Sequence, residues 1–168
     1  MTVCRAEPKR ADPDPDIGPM RLAIAASREA LDAGNNPYGA VLVSAGGEVL
    51  HVATNRQNTE RDITGHAEVV LVREAAARLG AAALWNATVF ASGEPCAMCS
   101  GALYWAGIRR IVYAASNEVM NELFGGDQLP IHCAEVLAGA SRKVQVDGPV
   151  LADAAVAVLQ EAVVRSKR

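Results

Sequence analysis

The order of apolar and polar positions first divides the chain into segments of helical and strand periodicity. Apolar residues recur at helical spacing from residue 17 to residue 33, and Gly34 then marks a helix end. Two short apolar runs follow at residues 38–44 and 48–54, and the pair Gly46–Gly47 between them indicates a tight turn. The chain is therefore predicted to open with a helix and a β-hairpin.

The remaining segments alternate between helix and strand. After a polar loop, the pattern predicts helix 66–80, strand 87–92, a helix starting at Pro95, strand 109–115, an irregular glycine-containing stretch with a short helix near 132–139, strand 143–147 and helix 151–164. Helices between apolar strands predict an α/β fold, a three-layer α/β/α sandwich around a mixed five-stranded sheet. The last two strands are separated by about thirty residues, which favours a crossover and a parallel last strand.

Length and composition limit the class of protein. With 168 residues the chain fits one domain, and its net charge of −3 gives no strong attraction for nucleic acid or for an acidic membrane. Residues 1–16, which contain the proline-rich run "DPDPD", are predicted to be a disordered tail, and residues 17–168 a single domain. We expect no membrane span and, because no secretory signal is evident, a cytoplasmic location.

Cys96 and Cys99 form a C-x-x-C pair directly after Pro95, a residue suited to the first turn of a helix. At positions i and i+3 both thiols project from one helix face, and the free N–H groups of the first turn favour the thiolate. Thiolates bind metals, and zinc is the first expectation for cysteine and histidine ligands. A redox-active cysteine pair is the alternative interpretation of the same spacing.

His66 supplies a candidate third ligand because it also lies at a predicted helix start after a loop. Glu68 follows two residues later and does not share a helix face with His66, so we expect it to reach past the metal without ligating it. Considered without its neighbours, Glu68 would be interpreted as a solvated surface acid. His51 and His132 are interpreted as ordinary surface histidines. Three protein ligands leave a fourth position open, which is typical of a catalytic zinc site.

The combined pattern H-A-E followed by P-C-x-x-C is the signature of zinc-dependent nucleobase deaminases. Over about residues 20–146 the chain resembles the cytidine deaminase superfamily, and its further motifs "NPYGAVLV", "GHAEV", "SGEPCAMCSGALYWAG" and "RIVYAA" are similar in order and spacing. The resemblance implies a cytidine deaminase-like fold, one Zn²⁺ per chain and hydrolytic deamination that releases ammonia. Glu68 is then the proton shuttle between the attacking water, the ring nitrogen and the departing amine.

The resemblance also implies substrate contacts. Asn55 matches an asparagine that hydrogen-bonds the substrate, and Tyr38, Gly39 and Ala40 match a stretch whose backbone approaches the ring. Trp105 matches an aromatic residue that lines the base pocket of guanine deaminases. The alternatives are a turn-forming role for Asn55 and ordinary helix packing for Trp105.

We therefore expect a free nucleobase or related aminated heterocycle as substrate, guanine-like first. The stretch "SNEVMNELFGGDQLPIHC" departs from the acidic run typical of guanine deaminases, so cytosine, isocytosine or a triazine remains an alternative substrate. Glu118 and Glu122 in this stretch can be substrate contacts or solvated acids. A transfer RNA adenosine deaminase is one alternative; a non-catalytic zinc module, closed by Cys133 or Cys4, is another. The family resemblance also implies a homodimer.

Overall fold

A computed structural model describes residues 14–125 and 129–167 of the chain. The helices in these ranges are α1 (Ile17–Asp32), α2 (Gln57–Glu60), α3 (Ala67–Leu79), α4 (Ala97–Trp105), α5 (Asn117–Phe124), α6 (Cys133–Leu137) and α7 (Ala152–Ser166), with a 3₁₀ turn at Ala81–Leu84. The strands are β1 (Gly39–Val43), β2 (Val49–Thr54), β3 (Thr88–Gly93), β4 (Arg110–Ala115) and β5 (Gln145–Asp147).

The five strands form one mixed sheet in the order β2-β1-β3-β4-β5. The β1–β2 hairpin and the β1–β3 pair are antiparallel, with Val41 opposite both Val52 and Phe90. The β3–β4 and β4–β5 pairs are parallel. The predicted five-stranded mixed sheet, the opening hairpin and the parallel last strand are therefore confirmed.

Helices cover both faces of the sheet. One buried cluster joins α1, α5 and α7 to the sheet through residues such as Met20, Met120 and Leu159. The other joins α3, α4 and α6 to the opposite face through residues such as Leu71, Leu103 and Leu137. The predicted three-layer α/β/α architecture is confirmed, and it places α3 and α4 side by side on one face.

The start of α1 is fixed to the sheet by a charged pair. Asp16 is the N-cap residue of α1, and its two carboxylate oxygens accept hydrogen bonds of 2.7 Å from the guanidinium of Arg110 on β4. These bonds lower the pKa of Asp16. Of the predicted tail, residues 1–13 lie outside the described residues, whereas Asp16 belongs to the folded unit.

Two helices lie where the sequence pattern predicted loop or irregular chain. The turn of α2 falls in the predicted polar loop, and α5 falls in the glycine-containing stretch after β4. The apolar residues of α5 recur at helical spacing at 119–120 and 123–124, and Met120 is buried against the sheet. The pattern of this helix was therefore present in the sequence and was missed. None of the helices in the described ranges is long and apolar enough to cross a membrane.

Candidate active site

Two helix N-termini converge beside the sheet and bring the predicted metal ligands together. His66 is the N-cap residue of α3, and Cys96 is the N-cap residue of α4. The Nδ1 atom of His66 lies 3.8 Å from Sγ of Cys96 and 3.5 Å from Sγ of Cys99. Thirty residues of sequence separate His66 from Cys96, so it is the packing of α3 against α4 that brings the two side chains together.

The donor geometry fits a tetrahedral zinc ion. In such a site the sulfur ligands lie about 2.3 Å and the nitrogen ligand about 2.0–2.1 Å from the metal, so that a nitrogen and a sulfur ligand are about 3.6 Å apart. The two nitrogen–sulfur distances of 3.8 and 3.5 Å are close to that value, and the three ligand atoms all lie within 4.8 Å of one another. Cys133 does not belong to this group in the described residues, and Cys4 lies outside them.

The two thiols differ in protonation. A hydrogen bond from the Cys99 thiol and the neighbouring His66 lower the pKa of Cys96 to about 4, in spite of its partial burial. The same bond to Cys96, together with burial, raises the pKa of Cys99. Cys96 is therefore a thiolate at neutral pH, and metal binding would displace the proton of Cys99.

Glu68 lies next to the three ligand atoms but outside their group. Its Oε2 accepts a hydrogen bond of 3.5 Å from Sγ of Cys99, and its side chain is buried. Burial raises the pKa of Glu68 because the charged form loses its hydration. A buried carboxyl with a raised pKa, at the wall of a cavity, is suited to take up and return a proton.

A cavity of about 520 Å³ opens in front of these residues. It is lined by the site residues Tyr38, His66, Glu68 and Cys96, and by a second set that the sequence analysis did not select: Asn36, Pro37, Gln57, Gly93, Glu94, Asn117, Met120 and Phe124. Burial and the nearby Glu68 and Cys96 raise the pKa of Tyr38 to about 12, so its phenol is neutral. Tyr38 therefore borders the cavity, and its contact with a substrate stays a prediction.

Three other predicted substrate contacts do not line this cavity. The side chain of Asn55 is buried, and both ends of its amide are bonded to Gln57: Nδ2 donates to Oε1 of Gln57, and Oδ1 accepts from the Gln57 backbone N–H. A Cβ atom on Gly39 would lie 2.4 Å from the Ala23 carbonyl oxygen, so this glycine permits the close approach of α1. Ala40 is buried in the core cluster on the α3 side.

Trp105, which the family resemblance predicted to line the base pocket, does not line this cavity. Its side chain is 85 % exposed and is not among the lining residues. The physical reason is helix geometry: Trp105 ends α4, six residues after Cys99, and a helix rises 1.5 Å per residue, which gives about 9 Å. The ring instead packs edge-to-face against Tyr104.

Of the missed lining residues, three lie on α5 and one on the turn of α2, while the others lie at residues 36–37, before β1, and 93–94, at the end of β3. Asn117, Met120 and Phe124 recur at spacings of three and four residues, so one face of α5 reaches the cavity. That spacing was the available signal. Glu118, Glu122 and Cys133 are not among the lining residues.

Comparison with known proteins agrees with this site. Residues 15–115 match the family described as the cytidine and deoxycytidylate deaminase zinc-binding region. A probable cytosine deaminase of Schizosaccharomyces pombe is 36 % identical over 148 residues, which cover 84 % of this chain and 88 % of that protein. The chain belongs to the cytidine and deoxycytidylate deaminase family, as the sequence analysis predicted, and is a deaminase.

Two further relatives act on different substrates. The solved structure of guanine deaminase from Nitrosomonas europaea superposes with a TM-score of 0.78 at 26 % identity and covers 94 % of this chain and 89 % of that chain. A transfer RNA-specific adenosine deaminase of Bacillus subtilis is 35 % identical over 127 residues, 71 % of this chain and 77 % of that protein. Family membership therefore defines the reaction type and leaves the substrate open.

Proposed function

We propose that the chain binds one zinc ion through His66, Cys96 and Cys99 and hydrolytically deaminates a free nucleobase or a related aminated heterocycle. The observation that carries the proposal is the position of Glu68. Its buried carboxyl adjoins the three ligand atoms and faces a cavity whose described lining contains no lysine or arginine. A substrate without a phosphate group fits such a wall best.

A zinc ion held by His66, Cys96 and Cys99 would act as a Lewis acid and would lower the pKa of a water toward neutrality. The Glu68 carboxylate accepts a proton from the attacking water and delivers it to the ring nitrogen beside the amino-bearing carbon. It then takes up the second proton of the water and returns it to the departing amine. The carbon–nitrogen bond breaks, and the products are an oxo heterocycle and ammonia.

The remaining walls suit the faces and edges of a planar heterocycle. Met120, Phe124 and the neutral phenol of Tyr38 provide apolar and aromatic surface, while Asn36, Gln57 and Asn117 carry amides. Amides both donate and accept, so they can pair with the alternating donors and acceptors at a base edge. A guanine-like base remains our first candidate, with cytosine, isocytosine and a triazine as the others.

The size of the cavity does not separate a free base from a nucleoside. At about 520 Å³ the cavity is within the ~300–1,000 Å³ usual for small-molecule sites, and Trp105 is absent from its wall. The preference for a substrate without phosphate groups therefore rests on the absence of lysine and arginine from the described lining.

The second candidate function is deamination of adenosine in transfer RNA, which the Bacillus subtilis relative favours. RNA binding requires positive charge near the site to neutralise phosphates. The chain has 16 lysines and arginines against 19 acidic residues. The cavity lining that the structure describes contains no lysine or arginine. We place this candidate second for that reason. A homodimer and a cytoplasmic location stay predictions.

A substrate panel tests the proposal. Zinc-loaded protein is assayed for ammonia release with guanine, cytosine, isocytosine, an aminotriazine, cytidine, deoxycytidylate and an anticodon hairpin bearing adenosine. We expect turnover of a free base and a much lower kcat/KM for the nucleotide. Efficient deamination of the hairpin without turnover of any free base contradicts the proposal and supports the RNA candidate. Bound zinc with no ammonia from any compound supports the non-catalytic module.

A further inference from the structure

Glu94 is a buried carboxyl residue whose partners connect three parts of the site. It lies in the loop between β3 and α4, two residues before Cys96, and its side chain is 2 % exposed. A carboxylate removed from water is costly unless hydrogen bonds and charges replace its hydration. The partners of Glu94 therefore indicate what it does.

Three donors satisfy this carboxylate. Oε2 accepts a hydrogen bond of 3.0 Å from the backbone N–H of Asn117, the first residue of α5. Oε1 accepts one of 3.0 Å from the backbone N–H of Cys133, the first residue of α6, and one of 3.1 Å from Nδ1 of His132. The first N–H groups of a helix have no partner within the helix, so one carboxylate completes the starts of both α5 and α6.

The surroundings of the carboxylate argue against other roles. His132 also contacts Oε1 of Glu118 at 3.2 Å through Nε2 and so connects two carboxyl groups. Although Glu94, Glu118 and His132 lie close enough to hold a metal, the Glu94 oxygens already accept N–H bonds. For the same reason Glu94 has little capacity left to act as a base toward a substrate, although it borders the cavity.

We infer that Glu94 is a positioning residue that sets the distance between the metal ligands and the α5 wall. Its backbone stands two residues before Cys96, and its side chain holds the first residue of α5. That helix carries Asn117, Met120 and Phe124 to the cavity. The backbone N–H of Glu94 also donates to the Ala115 carbonyl at 2.7 Å, just before α5, and adds a second link. The inference rests on the proposed function in that α5 contacts the substrate.

The variant Glu94→Gln tests the inference because it keeps the shape and removes the charge and one acceptor. An amide has a single acceptor oxygen, so its NH₂ group must face one of the three donors. A hydrogen bond to a charged group is a strong one, and we expect kcat/KM to fall by about tenfold to a hundredfold. In this variant α5 shifts, while the metal ligands His66, Cys96 and Cys99 stay in place. We therefore expect most of the fall in kcat/KM to appear as a higher KM, and zinc binding to be unchanged.

Glu118→Gln is the matched control. Glu118 also contacts His132, but its side chain is 62 % exposed to solvent. Kinetics are measured on the compound that the wild type deaminates fastest, together with the zinc content and the hydrogen exchange of the Asn117 and Cys133 amides. We expect both amides to exchange faster in Glu94→Gln and to be unchanged in Glu118→Gln.

Several results would overturn the inference. These are unchanged exchange at both amides, a kcat/KM within about twofold of the wild type, loss of zinc, or a fall in kcat alone with KM unchanged. If the wild type deaminates no compound, the proposed function fails, and the exchange measurement still decides whether Glu94 holds the two helix starts.

Discussion

The metal side of the cavity and its opposite wall are built in different ways. On the metal side, His66, Cys96 and Cys99 come from the first turns of two helices that pack side by side on the sheet. On the opposite wall, Gln57 comes from a single helical turn, and the lining residues of α5 come from a helix that begins after β4. The backbone geometry of two helix starts fixes the metal side. Hydrogen bonds that involve side chains hold the opposite wall.

The amides around Gln57 illustrate the second kind of construction. Oε1 of Gln57 accepts hydrogen bonds from Nδ2 of Asn36 at 2.7 Å and from Nδ2 of Asn55 at 2.9 Å, while its own Nε2 donates to the Ile63 carbonyl. Each member of such a chain orients the next. The comparison implies that substitutions on the metal side remove the reaction, and substitutions on the wall change how well a substrate binds.

The largest effect is expected at the metal ligands. Cys96→Ser replaces a thiolate by a hydroxyl that is a poor zinc ligand, so zinc content should fall from about one per chain to near zero and activity should be lost. Cys133→Ser is the control, because Cys133 is buried but does not belong to the ligand group. Metal analysis that finds zinc retained in Cys96→Ser and lost in Cys133→Ser contradicts the ligand assignment.

A second large effect is expected at Glu68. Glu68→Gln cannot shuttle a proton, so kcat should fall by the ~10²–10⁴-fold typical of losing a general acid–base. Zinc content and thermal stability should stay near those of the wild type. The exposed hairpin residue Glu48 provides a control, Glu48→Gln, that should leave kcat unchanged. Full activity of Glu68→Gln rejects the proton shuttle, and loss of its zinc makes Glu68 a ligand.

A smaller effect is expected on the wall. Gln57→Ala removes a lining amide and leaves the buried Nδ2 of Asn55 without its acceptor, so kcat/KM should fall by about tenfold, the scale of one hydrogen bond. The loss should appear mainly in KM, with zinc unchanged. Gln160→Ala, at an exposed position of α7, is the matched control. A fall in zinc content in Gln57→Ala would erase the distinction between the two sides.

The smallest effect is expected at Trp105. Its exposed ring lies outside the cavity, so Trp105→Ala should keep kcat/KM within about twofold and change the free energy of unfolding by no more than about 0.5 kcal/mol. Steady-state kinetics and denaturant unfolding measure both. A fall in kcat/KM of tenfold or more would show that this ring reaches a substrate after all.

The contrast between the two sides also explains what the sequence could predict. Residue type and spacing within each motif selected the candidates Glu68, Cys96 and Cys99, and the family signature joined them to His66, which lies thirty residues from Cys96. The sheet followed from apolar runs and from the length of the last crossover.

The wall was mostly not predictable from the sequence. Its residues depend on which side of α5 packs on the sheet and on which amide, Asn55 or Gln57, faces the cavity. The spacing within α5 shows which of its residues share a face, but long-range contacts, such as Glu94 with the first residue of α5, decide where that face lies. Family resemblance pointed to Asn55, Gly39, Ala40 and Trp105, and of its substrate contacts Tyr38 alone lies in the described lining.

X-ray absorption spectroscopy of the zinc-loaded protein tests the central claim most directly. The account requires two sulfur ligands, one histidine nitrogen and one position open to solvent or substrate. We expect two sulfur atoms at about 2.3 Å and two nitrogen or oxygen atoms at about 2.0–2.1 Å from zinc. Three or four sulfur ligands would show a closed structural site and would contradict both the ligand set and the proposed reaction.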